Sequence, residues 1–170
     1  MQGERLPPSD GPVTARNEPV RREVGTFDDF YRREHAEQVR RAYLLTHSNE
    51  VANDVVHDAM LGLYRQWGSV DRPAAYLNRS VINGCRDAGR RNGRRNRLVE
   101  RLRPIDSDRR ERDVLDDVLE RLPFNQRAAV VLRFYAGWTA EEIAVVLDCS
   151  PNSIGPWLSR AFDTMRKELS

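Results

Sequence analysis

The stretch from Trp138 to Leu169 constrains the fold most, because two helical patterns are separated there by a corner of only a few residues. Thr139 with Glu142 three residues later is a capping box at the start of the first helix. Ser150 followed by Pro151 is a second start signal. The spacing predicts a helix-turn-helix, a motif that presents its second helix to the DNA major groove. The alternative interpretation is a helical hairpin that only packs within the domain and does not bind DNA.

Both helices of this stretch carry an apolar face at helical spacing. In the first helix the face consists of Ile143, Ala144, Val146 and Leu147. In the second helix it consists of Ile154, Leu158, Ala161, Met165 and Leu169. We expect these two faces to form the core of a small domain.

The composition excludes several classes of protein. A chain of 170 residues with 39% apolar residues can bury one modest core or two small ones, and 32% charged residues favour helical surfaces. No apolar run approaches the roughly 18 residues of a membrane span, and the N-terminus lacks the apolar segment of a signal peptide. We therefore expect a cytoplasmic protein without membrane insertion. Cys85 and Cys149 lie far apart and are interpreted as small buried side chains rather than a disulfide or a metal pair.

Residues 1–25 contain four of the nine prolines and no apolar periodicity, which predicts a disordered leader. Long helical patterns follow from Thr26, and the first ends in polar residues 46–49. The second spans about residues 49–67, and its outer face mixes acidic residues with an apolar one. This face includes Asp54, His57, Asp58 and Leu61. An acidic face with an exposed leucine fits a protein partner, and a merely solvated face is the alternative.

A third helix is predicted to begin at Pro73, because proline is favoured at the first helical position. Its inward face is predicted to consist of Ala74, Leu77, Val81, Cys85 and Ala88. Its outer face, at steps of three and four residues, consists of Tyr76, Arg79, Asn83, Arg86 and Arg90. Arginines beside an aromatic ring and an amide fit nucleic acid, because guanidinium groups bind phosphates while the other two contact bases. The arginine-rich run that follows is either a phosphate-tracking segment or a flexible linker.

The net charge of +2 hides a reversal of sign past Pro104, where acidic residues outnumber the arginines. This reversal predicts a domain boundary. A short helix around residues 114–122, a second over 126–135 and the helix-turn-helix then make a four-helix domain. The predicted fold is all-α, with a three-helix domain (26–91), a basic linker (92–110) and the four-helix domain (111–170).

With this ordered series of segments the chain resembles the extracytoplasmic-function (ECF) sigma factors of bacterial RNA polymerase, of actinobacterial type, in the minimal form with regions 2 and 4 only. The segments of region 2 are AYLLTHSNEVANDVVHDAMLGLYRQW and DRPAAYLNRSVINGCRDAGRR. The segments of region 4 are LERLPFNQRAAVVLRFYAGWTAEEIAVVLDCS and LSRAFDTMRKEL. Together they cover nearly all of the chain after the leader.

The resemblance implies a sigma factor that binds core RNA polymerase through its β′ clamp and β flap and directs initiation at promoter DNA. An anti-sigma factor is a further implied partner, and no cofactor is implied. The residues expected to dock on the β′ clamp are Asp54, His57, Asp58 and Leu61. The residues expected at the minus-ten element are Tyr76, Arg79, Asn83, Arg86 and Arg90. The residues expected at the minus-thirty-five element are Asn152, Ser153, Pro156, Trp157 and Arg160.

One segment departs from the family pattern, which has a Thr-Val-Lys-Ser-Arg-Leu-like stretch at the start of the recognition helix. Here Gly155 and Trp157 replace the Lys and Arg, and Pro156 stands between them. If the helix starts at Pro151, a proline at position 156 costs roughly 3 kcal/mol, so we expect a kinked helix or one that begins only at Pro156. Asp148 also replaces the glycine that usually turns the corner. The alternative function is therefore a sigma-like regulator or adaptor with impaired minus-thirty-five recognition.

An enzyme is the remaining alternative. His57 with Asp54 and Asp58, together with His35 and His47, would have to form a metal or acid–base site. The number of ligands is small and there is no second cluster, so we expect neither a metal nor an enzymatic activity.

Overall fold

A computed structural model describes residues 25–99 and 114–169 of the chain, with the backbone alone for residues 94–99. Within these ranges the structure is helical and contains no strand. The helices are α1 (Phe27–Thr46), α2 (Asn49–Arg65), α3 (Pro73–Val99), α4 (Val114–Arg121), α5 (Phe124–Val130), α6 (Ala140–Leu147) and α7 (Ile154–Leu169). None of the described helices is long and apolar enough to cross a membrane. The predicted all-α fold with a helix-turn-helix is confirmed.

Two predicted segments lie wholly or partly outside the described residues. The leader predicted for residues 1–25 is described only at Gly25. The linker predicted for residues 92–110 is described only through Val99, where it is the last part of α3. The arginine-rich run therefore begins as helix.

The corner between α1 and α2 is made by two residues. His47 ends α1 in the left-handed region with φ 53°, and Ser48 then caps α2 by accepting a hydrogen bond from the N–H of Val51. Because a side-chain cap satisfies one of the unpaired N–H groups of the first turn, α2 can begin directly after the corner. The predicted end of the first helix is confirmed, while α2 ends at Arg65, two residues earlier than expected.

The first domain buries the inner face of α2 and the predicted inward face of α3 against α1. Ala52, Val56 and Leu63 of α2 are fully buried, as are Leu77 and Val81 of α3. The prediction that Ala74 faces inward is wrong, because Ala74 lies in the first turn of α3 and burial on this face begins only one turn later, at Leu77.

The second domain contains α4 to α7. Thr139 Oγ1 accepts from the N–H of Glu142 at 3.2 Å, and Glu142 Oε2 accepts from the N–H of Thr139 at 2.8 Å, so the predicted capping box is confirmed. α5 continues through a π-helical turn, Val131–Tyr135, and the segment closes at Gly137 with φ 72°. Asp148 makes the corner after α6 in the left-handed conformation, φ 54°, which Asp tolerates better than most residues.

Three apolar residues at helix ends of this domain are exposed, among them Leu169, which the sequence places on the inward face of its helix. Val114 and Leu115 lie in the first turn of α4, and Leu169 is the last residue of α7. At these helix ends the neighbouring helices no longer cover the face. Ile154 and Ala161 are buried as predicted, and Leu158 and Met165 are half-buried.

Pro156 neither kinks the recognition helix nor begins it, so both expectations for this residue are wrong. Pro151–Ser153 form a 3₁₀ turn capped by Ser150, and α7 then runs continuously from Ile154. Pro156 is consequently the third residue of the α-helix. Since the N–H groups of the first turn have no partner within their own α-helix, the missing N–H of proline costs little there.

Gly84 of α3 lies directly against Val55 of α2. A Cβ added to Gly84 would lie 2.7 Å from Cγ1 of Val55, whereas a Cβ added to Gly89, five residues later on α3, would meet nothing within 4 Å. Valine is stiff about χ1, so it cannot swing aside easily. The glycine therefore sets the distance between the two helices.

We predict that Gly84→Ala lowers the free energy of unfolding by about 1–2 kcal/mol, because overpacking outweighs the better helix propensity of alanine. Gly89→Ala is the matched control, and it should raise the free energy of unfolding by about 0.5–1 kcal/mol. Urea unfolding followed by helical circular dichroism measures both values. Equal effects of the two substitutions would contradict the close packing at Gly84.

Candidate functional site

The outer face of α2 forms an open acidic surface. Asp54, His57, Asp58 and Leu61 are all exposed, and Leu61 keeps 39% of its surface accessible. The opposite side of the same helix is buried in the core of the first domain. The four residues therefore share one accessible surface, which we call the acidic face.

The outer face of α3 is less uniform than its sequence spacing indicates. Arg79, Asn83 and Arg90 are exposed, and Arg79 and Asn83 lie one turn apart. Tyr76 is half-buried, and its hydroxyl accepts a hydrogen bond from Nε2 of Gln66 at 3.1 Å. The ring of Tyr76 is thus held against the end of α2, while the arginines beyond it remain accessible.

Arg86 differs from the other residues of this face because it contacts the second domain. Its side chain is half-buried and donates to the carbonyl oxygen of Leu147 at 3.3 Å. Its guanidinium carbon also lies 5.5 Å from the centroid of the Phe124 ring. In this arrangement Arg86 belongs to the junction between the two domains.

The start of the recognition helix presents small and apolar groups. Asn152, Gly155, Pro156 and Arg160 are exposed. Trp157 is half-buried and packs against the main apolar cluster, so it lies at the edge of the exposed surface. Arg160 is thus the cation that the first two turns of α7 expose.

A buried polar cluster was missed by sequence reasoning. Asn78 Oδ1 accepts hydrogen bonds from Nε2 of Gln38 at 2.7 Å and from the guanidinium of Arg41 at 2.9 Å. Arg41 is only 6% exposed, pairs with Glu37 at 3.7 Å and lies 4.9 Å from the centroid of the Trp138 ring. Burial lowers the pKa of Arg41, while Glu37 acts in the opposite direction. The sequence signal that could have revealed this cluster is the helical spacing of its residues, because Gln38 and Arg41 share the apolar face of α1 with Ala42 and Leu45.

Polar contacts join the two domains beside this cluster. The hydroxyl of Tyr43 donates to Asp116 at 3.4 Å, and the hydroxyl of Tyr135 donates to Glu37 at 3.5 Å. Together with the contact between Arg41 and Trp138, they hold α1 against the second domain.

The two cysteines differ in their burial. Cys85 is buried, and burial raises the pKa of its thiol to about 12, so the thiol stays protonated at neutral pH. Cys149 is half-buried. Among the described residues, no group of three or more His, Cys, Asp or Glu side chains is arranged to hold a metal ion.

Two family models match the chain in the order of its domains. The model for Sigma-70 region 2 matches residues 30–95, and the model for Sigma-70, region 4 matches residues 112–165. The first match contains the acidic face and the outer face of α3, and the second contains the helix-turn-helix as far as residue 165 of α7.

Curated relatives of the chain are sigma factors as well. The chain is 33% identical over 143 residues to the ECF RNA polymerase sigma factor SigM of Mycobacterium tuberculosis, covering 79% of this chain and 72% of the relative. It is 30% identical over 155 residues to the RNA polymerase sigma-E factor of Streptomyces coelicolor, covering 86% of this chain and 88% of the relative. Both sources are actinobacteria.

Solved structures have the same fold at lower identity. The sigma factor RpoE, solved in complex with the anti-sigma factor NepR from Bartonella quintana, is 20% identical with a TM-score of 0.66, covering 84% of this chain and 97% of that one. CnrH, solved in complex with the cytosolic domain of CnrY, is 23% identical with a TM-score of 0.63, covering 84% and 86%. The fold, the two family models and the curated relatives agree: the chain belongs to the ECF sigma factors, the family that directs transcription initiation by RNA polymerase at promoters.

Proposed function

We propose that this sigma factor docks the acidic face of α2 on the β′ clamp of core RNA polymerase and presents α3 and α7 to promoter DNA. The observation that carries the proposal is the distribution of charge, because exposed carboxylates lie on α2 and exposed arginines lie on α3. Carboxylates favour a protein partner, whereas arginines favour phosphate. The protein acts in the cytoplasm in this proposal and needs no catalysis of its own.

The acidic face fits a helical clamp because its charges surround an apolar centre. Leu61 is exposed one turn after Asp58, with Asp54 one further turn before it. Interfaces concentrate their binding energy in a central apolar contact and use the surrounding charges for orientation and association rate. Leu61 would supply that contact, and the two carboxylates would supply the charge.

We predict that Asp54→Lys combined with Asp58→Lys abolishes co-purification with core polymerase, because both carboxylates would be replaced by the opposite charge. The helical circular dichroism should stay unchanged, since both residues are exposed. Asp117→Lys combined with Glu141→Lys makes the same change in net charge on exposed residues of the second domain and should leave binding intact. If the first pair still binds, the docking face is elsewhere.

The outer face of α3 is proposed to bind the minus-ten element through two adjacent groups of different chemistry. Arg79 carries a charge that binds any phosphate, while the amide of Asn83 can form paired hydrogen bonds with a base edge. Because the two side chains lie one turn apart and are both exposed, they would act on the same few nucleotides.

We predict that Asn83→Ala changes the sequence preference at the minus-ten element by about 1–3 kcal/mol. Arg79→Ala should weaken all sequences alike and reduce the slope of log K against log salt by about 1. Promoter binding by the reconstituted holoenzyme, measured on matched and mismatched minus-ten sequences at several salt concentrations, separates the two effects. A uniform loss from both substitutions would contradict the assignment.

The recognition helix is proposed to bind the minus-thirty-five element weakly through Asn152, Ser153 and Arg160, with Pro156 and Trp157 at the same surface. The adaptor alternative came from the replacement of the family-like stretch by Gly155-Pro156-Trp157, and α7 runs continuously through these residues, so promoter recognition is the better supported function. What α7 lacks is charge at position 155. Gly155 is exposed, and a Cβ added to it would meet nothing within 4 Å, so a longer side chain fits there.

We predict that Gly155→Lys combined with Pro156→Ser tightens holoenzyme binding to promoter fragments that contain a minus-thirty-five element, with a salt slope steeper by about 0.9 for one added phosphate contact. Trp157 is left in place because it packs against the core. Val114→Lys, at an exposed position of α4, is the control for added charge. Equal gains from the control and the double variant, or no gain, would show that α7 docks differently.

We propose two further partners, the β flap of the polymerase and an anti-sigma factor. The exposed rings of Phe134 and Phe162 lie 5.5 Å apart and form an apolar surface on the second domain that fits the β flap. The anti-sigma factor NepR accompanies RpoE in its solved complex, and CnrY accompanies CnrH, which supports an anti-sigma partner for this chain.

A further inference from the structure

A cleft of about 760 Å³ lies between α3 of the first domain and α5 and α6 of the second. Its volume falls within the range of about 300–1,000 Å³ that is typical of small-molecule sites. Arg86 and Arg90 line it from α3, and Asn125 and Arg127 line it from α5. The described residues that line this cleft include three arginines and no carboxylate. We call it the arginine cleft.

The three guanidinium groups retain hydrogen-bonding capacity. Arg86 donates to the carbonyl of Leu147, and Arg127 donates from one terminal nitrogen to the carbonyls of Leu119 and Glu120 at 3.4 and 3.1 Å. Nε of Arg127 is buried and has no hydrogen-bond partner among the described residues. Each guanidinium has five N–H donors, so most of the donors of the cleft are not used by these carbonyls.

Among the described residues, the positive charge of the arginine cleft is also incompletely balanced. Burial lowers the pKa of Arg127, which means that its surroundings disfavour the charged form, and Glu120 opposes this effect only in part. Carbonyl oxygens orient a guanidinium without neutralising it. An anion in the cleft would supply the missing opposite charge and accept the unused N–H groups.

We propose that the arginine cleft binds a small anion with two adjacent phosphate groups, either the phosphate chain of a nucleotide or inorganic pyrophosphate. Planar guanidinium forks match phosphate oxygens two at a time, and three forks around one cleft match more than one phosphate. Because the lining comes from both domains, such an anion binds only while they are packed together. It therefore stabilises the packed arrangement by linkage. The inference goes beyond promoter recognition and does not rest on it.

The test is calorimetric titration of the full chain with ADP, with pyrophosphate and with adenosine. Asn125→Glu places a carboxylate in the cleft and should weaken ADP or pyrophosphate at least ~10-fold, because like charges are brought together. Asn53→Glu, the same substitution at an exposed position of α2, should leave the affinity unchanged. Binding of ADP alone identifies a nucleotide as the ligand, and binding of pyrophosphate identifies the phosphate pair as sufficient.

A second pair of variants keeps the test independent of Asn125. Arg90→Gln should weaken the same anion, whereas Arg79→Gln, on the same helix but outside the lining of the cleft, should not. Three outcomes would overturn the proposal: no binding of ADP or pyrophosphate at millimolar concentration, adenosine binding as tightly as ADP, or equal effects within either pair. If Asn125→Glu weakened only a single-stranded oligonucleotide, the cleft would belong to a nucleic-acid path instead.

Discussion

The arrangement of the helices depends on one buried cation, the guanidinium of Arg41. It is held by Asn78 of α3 and Glu37 of its own helix, and the ring of Trp138 covers it from the second domain. A buried charge is costly unless it is paired and hydrogen-bonded, so these partners are required in fixed positions. Arg41 therefore specifies the position of α3 against α1 and the side from which the second domain approaches.

The junction between the domains combines polar contacts with apolar packing, because the main apolar cluster contains buried residues of both domains. It uses a hydroxyl of Tyr43 on Asp116, a hydroxyl of Tyr135 on Glu37 and guanidinium groups on aromatic rings. Each of these groups can be hydrated when the domains separate, so separation leaves few unpaired polar atoms. The apolar part of the junction opposes separation, because separation would expose it to water.

Much of the fold follows from local patterns. The capping box of Thr139, the glycine at 137 and the periodic apolar faces each predict one element, because each acts within a few residues of sequence. Pro156 was misjudged because helical spacing does not reveal whether a segment starts as a 3₁₀ turn. Arg41 was missed for a different reason: its partners Asn78 and Trp138 are distant in sequence, and only the folded chain brings them together. The exposed face of α2 was predictable, whereas the half-burial of Tyr76 and Arg86 on α3 and the cleft between the domains were not.

Arg86, one of the residues expected at the minus-ten element, would connect promoter recognition with the arrangement of the domains. In the packed arrangement its guanidinium donates to the carbonyl of Leu147 and lies over Phe124, while its neighbour Arg79 stays exposed. A guanidinium directed at Leu147 cannot at the same time reach a phosphate on the open side of α3. If Arg86 binds the minus-ten element, its contact with the second domain must break first. The free energy of that contact then weakens DNA binding, and DNA binding in turn destabilises the contact by the same amount. Arg79 and Asn83 are exposed, so the contacts with DNA proposed for these two residues would need no movement of the second domain.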